Sequence, residues 1–307
     1  MKSLLFTHPD CTRHLLPGHP ESPQRLIAVM ERLRESGLAQ QMTEITASEV
    51  SLEDLSRAHP EAFIHQIEQY EKTDTIIRID ADTYMSPGST HAAKLAAGAC
   101  AEATRKVLAG DARNAFCAVR PPGHHAEFAE SMGFCLFNNI AVAARIALAH
   151  PAIERISILD FDVHHCNGTV DIFKDDERVL VCSSFQKQFY PNRYLDYTNS
   201  HVINTPLDAG TGGKIYRHRI EGDWIPALEA HKPDFIFISA GFDAHRDDPL
   251  GWLELTEDDY RWVTDLILDF ADRYAEGRVV STLEGGYDLR ALAASVETHV
   301  ATLAGRS

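Results

Sequence analysis

Two short runs restrict the possible folds of this 307-residue chain more than any other feature: Ile156-Ser157-Ile158-Leu159 and Phe235-Ile236-Phe237-Ile238. Both are apolar on successive residues, so each presents an apolar side chain to both faces of whatever sheet it joins. Strands of that kind belong to parallel sheets covered by helices on both sides. Further β-branched or apolar runs fall at Ser3–Thr7, Ala115–Val119 and Arg178–Ser183, and at Arg278–Leu283 near the end. With the two above, they predict strands over Arg155–Phe161 and Asp234–Ser239 as well. Longer stretches with helical spacing separate them. Alternation of this type implies an α/β layer structure with a mostly parallel, doubly wound sheet. In such sheets the chemistry gathers in loops beyond the C-terminal strand ends.

The helices carry their own punctuation. Ser22 and Pro23 open one that stops before Gly37, with a capping hydroxyl and proline in the first turn. Thr256 with Asp259 has the spacing of a capping box for a helix reaching toward Ala275. Asp288 is placed to cap the last helix, whose apolar face carries Leu289, Leu292, Ala293 and Val296. Repeats, low-complexity tracts and linker-like stretches are absent, so residues 1–307 are expected to form one domain.

Composition narrows the partners. Acidic residues number 45 against 29 basic ones, a net charge of -16. Affinity for nucleic-acid phosphates rests on clustered Lys and Arg, so DNA or RNA is not the expected partner. An acidic surface does concentrate cationic substrates. The opening run Met-Lys-Ser-Leu-Leu-Phe is too short for a signal peptide, and nothing downstream approaches a membrane span. Six cysteines are scattered without CxxC pairs, which reads as reduced thiols and a cytoplasmic protein. A homo-oligomer stays open.

Four polar clusters follow directly on predicted strands. They are Arg120-Pro121-Pro122-Gly123-His124-His125, Asp160-Phe161-Asp162-Val163-His164-His165, Ser239-Ala240-Gly241-Phe242-Asp243-Ala244-His245 and Glu284-Gly285-Gly286-Tyr287-Asp288. Asp162 and His164 sit two apart in a segment expected to be extended, so their side chains point the same way and can share an ion. Asp243 supplies a third ligand from a neighbouring strand. Two carboxylates and one imidazole leave a position for water and substrate, the pattern of a catalytic site. His124 and His125 follow a stiff Pro-Pro-Gly turn and suit proton transfer near neutral pH. Gly285 and Gly286 let the backbone come close to a ligand, and the Tyr287 phenol can donate to an oxygen gaining negative charge.

In this order and spacing the clusters resemble the zinc-dependent histone deacetylase family, including its bacterial members and the acetylpolyamine amidohydrolases. The resemblance runs from Gly18-His19-Pro20-Glu21-Ser22-Pro23-Gln24-Arg25 through Met132-Gly133-Phe134-Cys135-Leu136-Phe137-Asn138-Asn139 and Asn167-Gly168-Thr169 to the EGGYD segment. It implies the arginase–deacetylase fold, with about eight strands between helices. It also implies hydrolysis by zinc-activated water without a covalent intermediate.

Position by position, Asp162, His164 and Asp243 match the family's zinc ligands, for which ferrous iron is the other candidate. His125 matches the general base and acid, His124 its electrostatic partner, Asp160 the acid paired with His124, and Tyr287 the residue that polarises the scissile carbonyl. Asp160, Asp162, His164 and Ser183 fall where the family holds a structural potassium ion. Phe134 and Tyr190 match the aromatic tunnel walls, Gly133 the tunnel floor, and Arg25 a position near the acetate exit channel. Asp82 lies in the loop where many relatives carry an acidic residue that positions the substrate backbone, and reads equally as a solvated loop acid.

Two positions depart from the pattern. Asn167 stands where some relatives carry Asp, implying a weaker basic boost to its histidine. Cys166 replaces the usual Gly after the second histidine of the Asp-x-His-His cluster, and reads as a small buried apolar filler or as an oxidisable thiol.

Substrate is read from Leu250. Polyamine-selective relatives carry a glutamate seven residues after the last zinc ligand, and an apolar Leu250 points instead to acyl-lysine. Acetylpolyamine or another small acylated amine is the alternative. An arginase-type two-manganese enzyme would need an Asp where Cys166 stands. A catalytically silent acyl-amine sensor or scaffold would have no use for the full set of ligands, histidines and Tyr287.

Overall fold

The computed structural model describes residues 3–72 and 74–305, so Met1 and Lys2 of the opening run lie outside the described residues. In chain order the elements begin with β1 (Leu4–Thr7), α1 (Pro23–Glu35), α2 (Leu38–Gln41), β2 (Thr43–Thr46), α3 (Leu52–Leu55) and α4 (Glu61–Tyr70). A small ribbon of β3 (Ile77–Arg78) and β4 (Tyr84–Met85) precedes α5 (Ser89–Leu108), β5 (Asn114–Cys117) and α6 (Asn139–Leu148). Then come β6 (Ile156–Asp160), α7 (Asn167–Phe173), β7 (Val179–Gln186), β8 (Val202–Leu207) and α8 (Gly213–His231). The chain closes with β9 (Phe235–Ala240), α9 (Glu257–Tyr274), β10 (Val279–Leu283) and α10 (Leu289–Gly305).

Eight strands form one sheet in the order β2-β1-β5-β10-β9-β6-β7-β8, and every neighbouring pair is parallel. The two runs that are apolar on both faces occupy its middle. All residues of β6, β9 and β10 are buried, as two helical layers require. One helical group is built on α5 and α6, and a second runs from α1 through α10 and α9 to α8. Register sets the level of the strand ends: Asp160 lies opposite Ser239 on β9 and Ser183 on β7, and Leu283 opposite Ala240. The loops after β5, β10, β9 and β6 therefore leave the sheet side by side.

Two strands carry no strong signal in the sequence. β2, Thr-Glu-Ile-Thr, is an exposed edge whose outer positions need no apolar residue. β8 contains Pro206, which the other edge tolerates because a proline there costs no ladder hydrogen bond on the open side.

The expected caps fare unevenly. Asp259 accepts from the backbone N–H and the hydroxyl of Thr256, and the Asp288 carboxylate accepts from the N–H groups of Arg290 and Ala291. Ser22 has the extended backbone of an N-cap, but its hydroxyl makes no capping bond, because Pro23 already fills the first turn without needing one. Leu289 is 40% exposed and so off the buried face of α10, which runs through Leu292, Val296, Val300 and Leu303.

Candidate active site

His124 and His125 follow β5, Tyr287 follows β10, Asp243 follows β9, and Asp162 and His164 follow β6. Four adjacent strands thus deliver four distant stretches of sequence to one place. One detail differs from the sequence expectation. β6 ends at Asp160, and Asp162, Val163 and His164 bend rather than extend. Asp162 and His164 still meet, because the turn folds His164 back so that its backbone N–H donates to Asp162 Oδ1 at 2.9 Å and its Nδ1 lies 3.0 Å from the same oxygen.

Among the described residues, Asp162, His164 and Asp243 are the group able to hold a metal ion, with one ligand atom from each within 4.8 Å of the others. Both carboxylates are buried and the His164 side chain is 12% exposed. The backbone N–H of Val163 holds Asp243 Oδ1 at 2.8 Å, and that of Gly285 holds Asp162 Oδ2 at 2.9 Å. Asp243 Oδ2 is buried with no hydrogen-bond partner. A Cβ on Gly285 would come within 2.1 Å of that oxygen and 2.5 Å of Asp162 Oδ2, so only glycine lets the cradle form. A buried carboxylate oxygen left without a donor, next to a second carboxylate and an imidazole, fits a divalent cation.

The two adjacent histidines have different partners. Asp160 Oδ2 lies 2.9 Å from His124 Nδ1, and Asn167 Oδ1 lies 2.6 Å from His125 Nδ1. Their rings are 4.0 Å apart. Burial opposes a charge on His124, yet Asp160 and Asp162 outweigh it and raise its pKa well above the usual imidazole value. Burial lowers that of His125, and the charges of His124 and His164 drive it well below. The two surroundings therefore push the rings in opposite directions, His124 toward the charged form and His125 toward the neutral one.

A cavity of about 290 Å³ opens onto these groups. Gly133, Phe134, Tyr190, Leu250, Asp82 and Tyr287 line it with His125 and His164, so eight of the expected site residues are brought together. Gly133 takes a φ of +58°, and a Cβ there would overlap the His125 ring at 2.4 Å. Burial keeps the Tyr287 phenol protonated, its pKa raised well above the usual value although Arg25 pulls the other way.

Gly286 is not among the lining residues, contrary to the expectation of substrate contact. Its φ of +121° turns its carbonyl to Arg25 Nε at 2.6 Å. Arg25 itself is fully buried behind the cavity, 4.9 Å from the centre of the Tyr287 ring and paired with Glu21. Ser183 is buried beside Asp160, its hydroxyl accepting from the Cys166 N–H at 3.4 Å. Cys166 is fully buried, and burial pushes its thiol well above the ordinary range, as for a small apolar filler.

Comparison with known proteins decides the family, since the histone deacetylase domain matches residues 19–303. The chain belongs to the histone deacetylase family. A histone deacetylase-like amidohydrolase of Pseudomonas aeruginosa is 38% identical over 279 residues, covering 88% of this chain and 73% of that protein. The polyamine deacetylase HDAC10 of Mus musculus is 34% identical over 322 residues, 98% of this chain and 46% of its own length. The crystal structure of the HDA15 HD domain gives a TM-score of 0.93 at 34% identity, over 99% of this chain and 88% of that one.

Membership makes the chain a deacetylase, a hydrolase of amide C–N bonds, and its eight-stranded sheet is that of the arginase–deacetylase fold. Other parts of this deacetylase site escape a reading of the sequence. Phe189 stacks on His164 at 5.3 Å with an 11° interplanar angle, and Trp252, 63% exposed, packs against Phe189 at the mouth. Their neighbours Tyr190 and Leu250 carry the recognisable signal. Glu284 lies beneath the histidine loop, accepting from the N–H groups of Gly123 and His124 and from the Ser239 hydroxyl. Burial pushes its pKa up to about 7. Nothing in its position before two glycines indicates that task. Among the described residues no helix is long and apolar enough to cross a membrane.

Proposed function

We propose that this deacetylase removes an acetyl or other short acyl group from the side-chain amine of lysine, with Asp162, His164 and Asp243 holding a zinc ion. The observation that carries the reading is the buried pair of His125, its Nδ1 committed to Asn167, and His124, its Nδ1 committed to Asp160, next to a three-donor cluster at a cavity that His125 and His164 line. Zinc, or ferrous iron on the same donors, supplies Lewis acidity toward the scissile carbonyl and makes water a better nucleophile.

The chain's own groups do the rest. His125 accepts a proton from the attacking water on Nε2, the nitrogen left free once Nδ1 is committed to Asn167. His124, held by Asp160, keeps a positive charge close by and opposes protonation of His125 until the water is ready to lose its proton. The Tyr287 phenol donates a hydrogen bond to the carbonyl oxygen as charge builds there. His125 then returns the proton to the departing amine. Phe134 and Tyr190 flank the apolar stem of the lysine, Gly133 lets the His125 ring approach, and Asp82 at the rim accepts from the substrate backbone. The potassium ion implied by the resemblance belongs near Asp160 and Ser183, where it would brace the loop of the zinc ligands, and Arg25 would stand beside the exit of acetate.

A small acylated amine is the second reading, raised by the mouse polyamine deacetylase among the relatives. Leu250 favours lysine, since an apolar rim gives a protonated secondary amine no ion pair. The test is kcat/KM for an acetyl-lysine peptide against N-acetylputrescine, in the wild type and in Leu250→Glu. A wild-type preference for the peptide that Leu250→Glu reverses supports lysine; a wild-type preference for the polyamine rejects it.

A further inference from the structure

The group behind His125 is an amide, and an amide has two unlike ends. Asn167 is fully buried, so which end faces the histidine has chemical consequences. Its Oδ1 lies 2.6 Å from His125 Nδ1. Its Nδ2 faces three acceptors: Glu127 Oε1 at 2.8 Å, the His125 carbonyl at 3.3 Å and Met132 Sδ at 3.2 Å. From this arrangement, and resting on the deacetylase reading above, we infer that Glu127 is a positioning residue that fixes the Asn167 amide and through it the tautomer of His125.

With Nδ2 toward Glu127, Oδ1 accepts from His125 Nδ1–H, and Nε2 carries the free lone pair toward the cavity. Turned over, the amide would set its oxygen against a carboxylate oxygen and a carbonyl oxygen. It would also aim an N–H at Nδ1, forcing the ring proton onto Nε2 and removing the base. The His125 carbonyl and a thioether are weak discriminators at 3.2–3.3 Å. The carboxylate, through a charge-assisted bond, is the strong one.

Glu127 is itself held. Its backbone N–H donates to the Glu130 carbonyl at 2.9 Å, and its Oε2 accepts from Arg193 at 2.8 Å. Arg193 also grips both carboxylate oxygens of Glu130. The Glu127 carboxylate thus stands one hydrogen bond behind the group that touches this histidine. It acts by orientation more than by charge. Arg193 lies three residues after Tyr190, so the segment that walls the cavity also anchors the clamp.

The test compares Glu127→Leu and Glu127→Gln with the wild type on an acetyl-lysine peptide, after circular dichroism confirms folding. Two-bond 1H–15N spectra read the His125 tautomer in parallel. Glu127→Leu is expected to lower kcat about 10- to 100-fold with KM little changed, and to move His125 away from a pure Nδ1–H tautomer. Glu127→Gln, whose carbonyl still accepts from Asn167, is expected to restore most of kcat and the wild-type spectrum. A folded Glu127→Leu with an unchanged tautomer overturns the inference whatever its activity, and so does a Gln variant no better than Leu. If Glu127→Leu does not fold, Arg193→Ala loosens the same clamp from the surface. A smaller kcat loss with a shifted His125 signal then supports the inference, and wild-type values for both overturn it. The spectra are independent of turnover, so a wild type inactive on the peptide would count against the lysine reading and leave Glu127 to be judged by tautomer alone.

Discussion

His124 and His125 are neighbours in sequence but are pushed in opposite directions in proton affinity, and the difference comes from what each ring touches. His124 meets the Asp160 carboxylate and lies 3.8 Å from Asp162, whereas His125 meets an amide and lies beside the His124 ring, 4.0 Å away. Removing the neutral ring removes the base. His125→Ala is expected to lower kcat by about 10²- to 10⁴-fold, with the peptide still binding, as read by steady-state kinetics beside a binding titration. Tyr287 acts on the developing charge rather than on the ground state. Tyr287→Phe should therefore cost kcat about 10²- to 10³-fold and leave KM nearly unchanged; a rise in KM at constant kcat would assign the phenol to substrate binding instead.

At the scale of elements, the site exists because β5, β10, β9 and β6 are neighbours in the sheet while being scattered along the chain. Their burial makes them sensitive. Phe237 lies in β9 between β10 and β6 and is fully buried, so Phe237→Ala should cost about 3–5 kcal/mol of stability, measured by urea unfolding. His59 ties α3 and α4 to α6. Its Nδ1–H donates to the Phe128 carbonyl at 3.0 Å, while Nε2 accepts from the Asn138 N–H at 2.9 Å. That pattern admits only the neutral ring, and burial lowers its pKa to about 4. The unfolded chain takes up this proton near pH 6.5, before the folded one does. The His59 contribution to stability is thus complete above about pH 6.5 and is lost as pH falls toward 4. The loss, complete near pH 4, amounts to about 3 kcal/mol. Denaturant curves at pH 7.5 and 5.0 should show a wild-type loss on acidification that His59→Gln reduces; equal slopes in the two proteins would contradict it.

The sequence made these central elements easy to read and the peripheral ones hard, for a physical reason. β6 and β9 are buried on both faces and so are apolar throughout, whereas β2 and β8 lie at the edges, where Thr, Glu and even Pro206 are tolerated. The same holds at the site. Asp162, His164, Asp243, His124, His125 and Tyr287 stand in short motifs directly after strong strands. Glu284, Glu127, Phe189 and Trp252 act through contacts made by folding from afar, such as the reach of Glu127 to Asn167 and Arg193. No local pattern announces such contacts. Gly286 stands apart from the cavity lining because a glycine in a motif can equally serve the turn, and here its carbonyl is spent on Arg25.

For the whole molecule, the parallel sheet, its two helical layers and the shared cavity make one consistent account with the family match over residues 19–303. A net charge of -16 adds a long-range term. Association with a cationic acetyl-lysine peptide should slow as salt rises, lowering kcat/KM more than kcat, while an acidic peptide shows the reverse trend. The central claim is that Asp162, His164 and Asp243 hold a metal on which lysine deacylation depends. It is tested most directly by the release of free lysine amine from an acetyl-lysine peptide, first by chelator-treated protein and then after zinc is restored. The account predicts no turnover in the first state and full turnover in the second, with Asp243→Ala silent in both. Unchanged turnover by metal-free protein, or by Asp243→Ala, would contradict it.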